Sequence, residues 1–182
     1  MIIINFLVKS IIDFYIILII IRIWIQWTKC DFYNSFYQLT DKITYPLIKI
    51  IKYLIPNYVN TCLFIISIFL AIIKFPIIIF FETKLLKLKI IYLFIGMITL
   101  IKTIGNLVFW ILVLRLLLIK FKKDKSIINE VIYMLSESLI FLIKKILPYS
   151  YTINFLFYLL ISFLFSLNYL GIYLLPGIWY RI

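Results

Sequence analysis

A chain of 182 residues, 66% hydrophobic and 14% charged, with a formal net charge of +12, carries more apolar surface than one soluble core of its size can bury. An ordinary soluble domain is therefore excluded, and lipid must cover the remainder. With no histidine in the sequence, imidazole-based acid/base catalysis, a histidine metal site and a haem imidazole are excluded for this chain alone.

The first element is an apolar run from Asn5 to Trp27, long enough to cross a bilayer. No basic segment precedes it and no small-x-small cleavage site follows, so it is expected to stay on the mature protein and not to act as a signal peptide. It carries Asp13 and, near its far end, Arg22. From Phe36 to Ile55 polar residues at Gln38, Asp41, Lys42, Tyr45, Lys49 and Lys52 alternate at helical spacing with Leu39, Ile43, Leu47, Ile50 and Leu54. This predicts an amphipathic helix in the membrane interface, broken or bent at Pro46, with Pro56 marking the turn into the next span. The second crossing is expected over Thr61 to Phe81 and carries Lys74.

The third apolar stretch, Ile90 to Ile119, reaches ~45 Å as a helix, more than the ~30 Å hydrocarbon core and too little for two spans. It reads as one long helix, tilted or bent near Gly105, with its early turns outside the hydrocarbon. It holds Lys102, Asn106 and Arg115. A second amphipathic stretch follows, with Ile128, Val131, Leu135, Leu139, Leu142 and Ile146 on one side and Glu130, Glu137 and Lys144 opposite. Pro148 stops it, and Ile153 to Leu175 forms the fourth crossing.

The same design is thus written twice, each copy an apolar helix with a late arginine, an amphipathic stretch, a basic-apolar-Pro stop and a second apolar helix. Two crossings separate the copies, so they are expected to be parallel repeats about an axis along the membrane normal. The fold class is an all-α membrane protein of about four transmembrane helices in two such repeats. Ten lysines lie in the two repeat loops, among them the interfacial Lys49, Lys52, Lys144 and Lys145. The positive-inside rule then places those loops in the cytoplasm, where the bilayer and its anionic lipid head groups, and not nucleic acid, are the expected partners.

Ionisable groups deeper in the bilayer are the sharpest local signal. Counting 1.5 Å per residue puts Asp13 and Lys74 about equally far from the loop ends of their helices, so they can meet as an ion pair, with Lys102 close by. Asn106 lies 93 positions after Asp13, the spacing that also separates Arg22 and Arg115. Asp13, Lys74, Lys102 and Asn106 form the candidate intramembrane polar site, either a structural pair that sets helix rotation or a path for an ion or proton. Arg22 and Arg115 either snorkel to the interface or hold an anionic group. Cys30 and Cys62 are too few for a zinc or iron–sulfur site, and a disulfide between them is not expected in a reducing cytoplasm.

These residues carry a resemblance. The runs Arg22-Ile23-Trp24-Ile25-Gln26-Trp27, Asp31-Phe32-Tyr33-Asn34, Thr44-Tyr45-Pro46-Leu47 and Lys52-Tyr53-Leu54-Ile55-Pro56, with Ser136-Glu137-Ser138-Leu139 and Lys144-Lys145-Ile146-Leu147-Pro148, resemble the YggT family of bacterial membrane proteins. The resemblance extends through Lys102-Thr103-Ile104-Gly105 to Leu174-Leu175-Pro176-Gly177-Ile178-Trp179. It implies two tandem copies in a bacterial inner membrane, residues 1–82 and 104–182, with 83–103 as connector and start of the third helix. Departures from the family pattern include Ser138 in place of a proline and Asn60 and Asn154 in place of aspartates.

The resemblance further implies a role in osmotic-stress tolerance or ion homeostasis, the alternative being a non-transporting scaffold or assembly factor that recruits partners through its basic amphipathic helices. A homo-oligomer or other membrane proteins are expected partners, since four spans with few small residues leave little room for a pore in one protomer. No nucleophile and base arrangement, phosphate loop or metal-ligand spacing is present, so neither an enzyme nor a cofactor is expected.

Overall fold

A computed structural model describes residues 2–28, 35–52, 59–84, 90–121, 127–145 and 153–179. Among them there is no strand, and the helices are α1 (Ile2–Trp27), α2 (Ser35–Lys52), α3 (Val59–Thr83), α4 (Ile91–Phe121), α5 (Ile127–Lys144), α6 (Ile153–Leu174) and the single turn α7 (Pro176–Trp179). Isoleucine-rich sequence is only a middling helix former in water. In lipid the backbone must satisfy its own hydrogen bonds, and a helix is the one open-chain arrangement that does so within a single segment.

Three helices are long and apolar enough to cross a membrane: Thr61–Phe81 within α3, Ile91–Phe121, and Phe155–Leu174 within α6. Their outer faces are apolar and uncovered, as at Phe69, Phe94, Trp110 and Phe165, which is the surface a bilayer would cover. The third stretch is one 31-residue helix, ~46 Å long, that passes through Gly105 without interruption. The first, α1, is continuous over 26 residues but carries Lys9, Asp13 and Arg22, and is not among the three.

Both amphipathic stretches are helices, with corrections to the expected pattern. The helix α2 does not break at Pro46, which sits inside it with an exposed ring. The buried stripe of α2 is Thr40, Thr44 and Ile48, four residues apart, whereas Leu39 is exposed. Hydrophobicity alone put Leu39 inward; Thr44 takes that side because its hydroxyl accepts from Arg22 there, and Thr40 lies one turn before it. On α5 Val131 and Leu135 are buried, as periodicity predicts, but so are Ser136 and Ile140, while Leu142 is exposed.

The described residues fall into two compact units. The first comprises 2–23, 40–52, 59–84 and 90–104. Its core joins Ile19, Ile48, Leu63 and Ile66 from α1, α2 and α3, and a second cluster joins Ile16, Ala71 and Leu100 from α1, α3 and α4. As α1 advances from Ile16 to Ile19 its partners on α3 retreat from Ala71 to Ile66 and Leu63, so the two helices run antiparallel. Small residues allow the close approaches: a Cβ on Gly96 of α4 would lie 2.7 Å from Ile72 Cγ1 and 2.8 Å from the Ile72 Cα. The helix α3 ends at Lys84, whose φ of 55° is left-handed and whose N–H donates to the Phe80 carbonyl at 2.8 Å.

The second unit comprises 24–28, 35–39, 105–121, 127–145 and 153–179. Its core joins Leu112, Ile140, Leu156 and Phe157 from α4, α5 and α6. At the far end Trp179 folds back over Gly171, where a side chain would collide with the indole ring, and its Nε1–H donates to Asn168 Oδ1 at 3.0 Å. Pro176 begins this last turn, where a missing N–H costs nothing.

Candidate functional site

The first unit draws charged side chains inward and pairs them. Asp13 lies three residues before Ile16, and Lys74 lies three after Ala71, so the antiparallel contact that brings Ile16 to Ala71 also brings the two charges together. Lys74 Nζ donates to Asp13 Oδ1 at 2.6 Å, the lysine only 1% exposed and the aspartate side chain 24%. This is the ion pair that helical depth predicts. A buried ammonium needs such a partner, because desolvation without one costs several kcal/mol.

Lys102, half-buried on α4, lies within electrostatic reach of Lys74, Asp13 and Lys9. Asn106, the fourth residue of the expected polar site, is exposed on α4. Asp13, Lys74 and Lys102 are brought together in the first unit, while Asn106 lies one turn beyond Lys102 along α4.

Arg22 is the second paired cation, and it does not snorkel. Its side chain is 6% exposed, one guanidinium nitrogen is ion-paired with Asp41, and Nη1 donates to Thr44 Oγ1 at 2.5 Å. The Thr44 hydroxyl in turn donates to the Thr40 carbonyl at 2.7 Å. Arg22 Nε is buried with no hydrogen-bond partner. Asp41 and Thr44 stand three apart, on one face of α2, so the guanidinium meets a carboxylate and a hydroxyl at once. Sequence reading placed Asp41 on the solvent face and did not single out Thr44. The signal that would have found them is the Asp-x-x-Thr spacing on a helix following a span that ends in arginine.

The second unit treats its arginine differently. The Arg115 guanidinium lies 4.2 Å above the Tyr133 ring of α5, a cation–π contact, and among the described residues it makes no ion pair. The Tyr133 hydroxyl is hydrogen-bonded to the Glu137 carboxylate, which holds the phenol above its ordinary pKa. Trp24 Nε1 donates to Ser138 Oγ at 3.0 Å, and Ser138 donates onward to the Leu135 carbonyl at 2.7 Å. Beside these groups opens a cavity of about 740 Å³, lined on its polar side by Arg115, Glu137 and Lys144. A smaller cavity in the first unit, about 260 Å³, is walled by Ile20, Phe64, Met97 and Ile104, with Ser67 its one hydroxyl.

Of the interfacial lysines, Lys49 and Lys145 are exposed and Lys144 is half-buried. The side chain of Lys52, like Cys30, lies outside the described residues, whereas Cys62 is buried.

A family model described as CCB3/YggT matches residues 1–88. The uncharacterised protein YggT of Escherichia coli K12 is 31% identical over 96% of this chain and 96% of its own length. An uncharacterised protein of Vibrio alginolyticus, named for the proC 3′ region, is 34% identical over 79% of this chain and 80% of its own. One from Haemophilus influenzae is 29% identical over 94% of this chain and 93% of its own. No solved structure matches the chain.

Proposed function

The chain belongs to the YggT family, and on that premise we propose that it is a small inner-membrane protein supporting osmotic-stress tolerance or ion homeostasis. The observation that carries the reading is the buried Asp13 and Lys74 pair, with Lys102 in its field. Ionisable groups at membrane depth are costly to keep, and they mark ion or proton paths more often than they serve packing. Asp13, a quarter exposed, is the member of the pair that a passing cation or proton would reach first.

On this reading α1 is a fourth crossing beside α3, α4 and α6. Two of its three charges support that role, because Asp13 and Arg22 are each neutralised by an oppositely charged partner inside the first unit. Residues 1–82 and 104–182 are then parallel repeats, with the lysine-rich α2 and α5 on the cytoplasmic face. Reporter fusions near Lys49 and Lys144 test this and are expected on the same side of the membrane. The test of function is flux: purified protein in liposomes passes K⁺ or a similar cation, and Asp13→Asn abolishes it.

A second reading rests on α2, which keeps Gln38, Lys42 and Lys49 exposed along one face. A scaffold that recruits partners through this face requires no transport, and silent vesicles would favour it. Crosslinking from Lys49 that captured lipid alone, never a protein, would count against it.

A further inference from the structure

In the first unit Arg22 is closed off by Asp41 and Thr44. Aligning Thr44-Tyr45-Pro46-Leu47 with Ser136-Glu137-Ser138-Leu139 places Tyr133 where the first copy has Asp41, and Ser136 where it has Thr44. The second arginine thereby loses both of its partners: a ring takes the place of the carboxylate, and Ser136, which donates to the Tyr133 carbonyl at 2.9 Å as Thr44 does to that of Thr40, accepts no hydrogen bond from Arg115 among the described residues. What it faces instead is the 740 Å³ cavity, a size typical of sites for organic ligands.

The cavity's charge is uneven. Arg115 and Lys144 contribute two cations against the single carboxylate of Glu137, and that carboxylate already accepts the Tyr133 hydroxyl. Ser138 is committed to Trp24 and to its own helix. The opposite walls, Ile140, Phe141 and Phe157, are apolar, and a small inorganic anion would gain nothing from them. The level is also informative. Arg115 lies six residues, ~9 Å, from the end of α4, and Phe157 lies just inside the start of α6, so the cavity opens where head groups meet acyl chains.

We propose that this cavity binds an anionic phospholipid, its phosphodiester held by Arg115 and Lys144 and the first segments of its acyl chains lying on Ile140, Phe141 and Phe157. The proposal rests on the reading of the chain as an integral membrane protein. A bidentate guanidinium contact to phosphate is the stronger hold, and the lysine adds a point charge. Tyr133 keeps the guanidinium poised over its ring without neutralising it.

The test uses full-length protein extracted from membranes, delipidated in detergent and titrated with phosphatidylglycerol, phosphatidylcholine or inorganic phosphate, with bound lipid counted by native mass spectrometry. One phosphatidylglycerol is expected to bind at least about tenfold more tightly than phosphatidylcholine, and Arg115→Gln and Lys144→Gln each remove most of that preference. Tyr133→Asp supplies the carboxylate of the first copy and is expected to displace the lipid while leaving the fold, read by circular dichroism, unchanged. Equal binding of both lipids, retention of phosphatidylglycerol by all three variants, or competition by inorganic phosphate at similar concentration would overturn the proposal. Failure of the underlying reading is a separate event: protein that alkaline carbonate strips from the membrane was never integral, whatever it binds.

Discussion

The two units hold the same kind of residue in opposite ways. In the first, each buried cation has a carboxylate within reach, Arg22 with Asp41 and Lys74 with Asp13, and the two cationic side chains are packed almost wholly out of contact with solvent. In the second, Arg115 rests on an aromatic ring beside an open cavity. The residue that decides is not the arginine but the one facing it from the amphipathic helix. A carboxylate there closes the site into a clasp, while a ring leaves a charge available for something else.

Breaking the first unit's pairs has the largest expected effects. Asp13→Ala strands Lys74 in an apolar surrounding and is expected to cost about 3 kcal/mol of stability, read by thermal unfolding in detergent. Adding Lys74→Met to it should recover much of the loss, because removing both charges removes the desolvation penalty. Little or no recovery would mean that the pair is worth more than its absence.

Gly96→Ala drives a Cβ against the backbone of Ile72, which cannot rotate away, and about 2 kcal/mol is expected by the same measurement. Asp41→Ala should cost less, about 1 kcal/mol, since the aspartate side chain is 41% exposed and water can replace part of what Arg22 loses. Arg115→Gln sharpens the contrast: stability is expected to stay within about 0.5 kcal/mol, because no ion pair is broken. A loss comparable to that of Asp41→Ala would show that Arg115 is structural after all. Gly105→Ala is the smallest change, neutral or stabilising by up to about 0.5 kcal/mol, since no atom lies within 4 Å of the added methyl and the helix backbone loses a flexible residue.

Legibility differed residue by residue. The Asp13 and Lys74 pair was readable because both sit on long helices whose rise per residue is constant, so depth follows from counting. Lys102 was readable by the same count, but Asn106 was not, since a spacing of 93 residues says nothing of which way a side chain turns. The partners of Arg22 were missed because they lie on α2, whose rotation is set by what it packs against. At Pro46, where a break or a bend was expected, the helix is unbroken for a related reason. Proline removes one hydrogen bond, and burial of Thr44 and Ile48 on either side of it holds the helix together regardless.

By itself the sequence determined that the chain is helical and apolar enough for lipid, and where its helices begin and end within a few residues. Those properties are local, set by composition, periodicity and the demand that backbone groups in hydrocarbon bond to one another. Tertiary structure alone decided that Arg22 is spent on Asp41 and Thr44 and that Arg115 stays open. Pairing depends on the rotation of each helix about its axis, and a turn of 100° per residue lets one shifted contact replace a carboxylate with a ring.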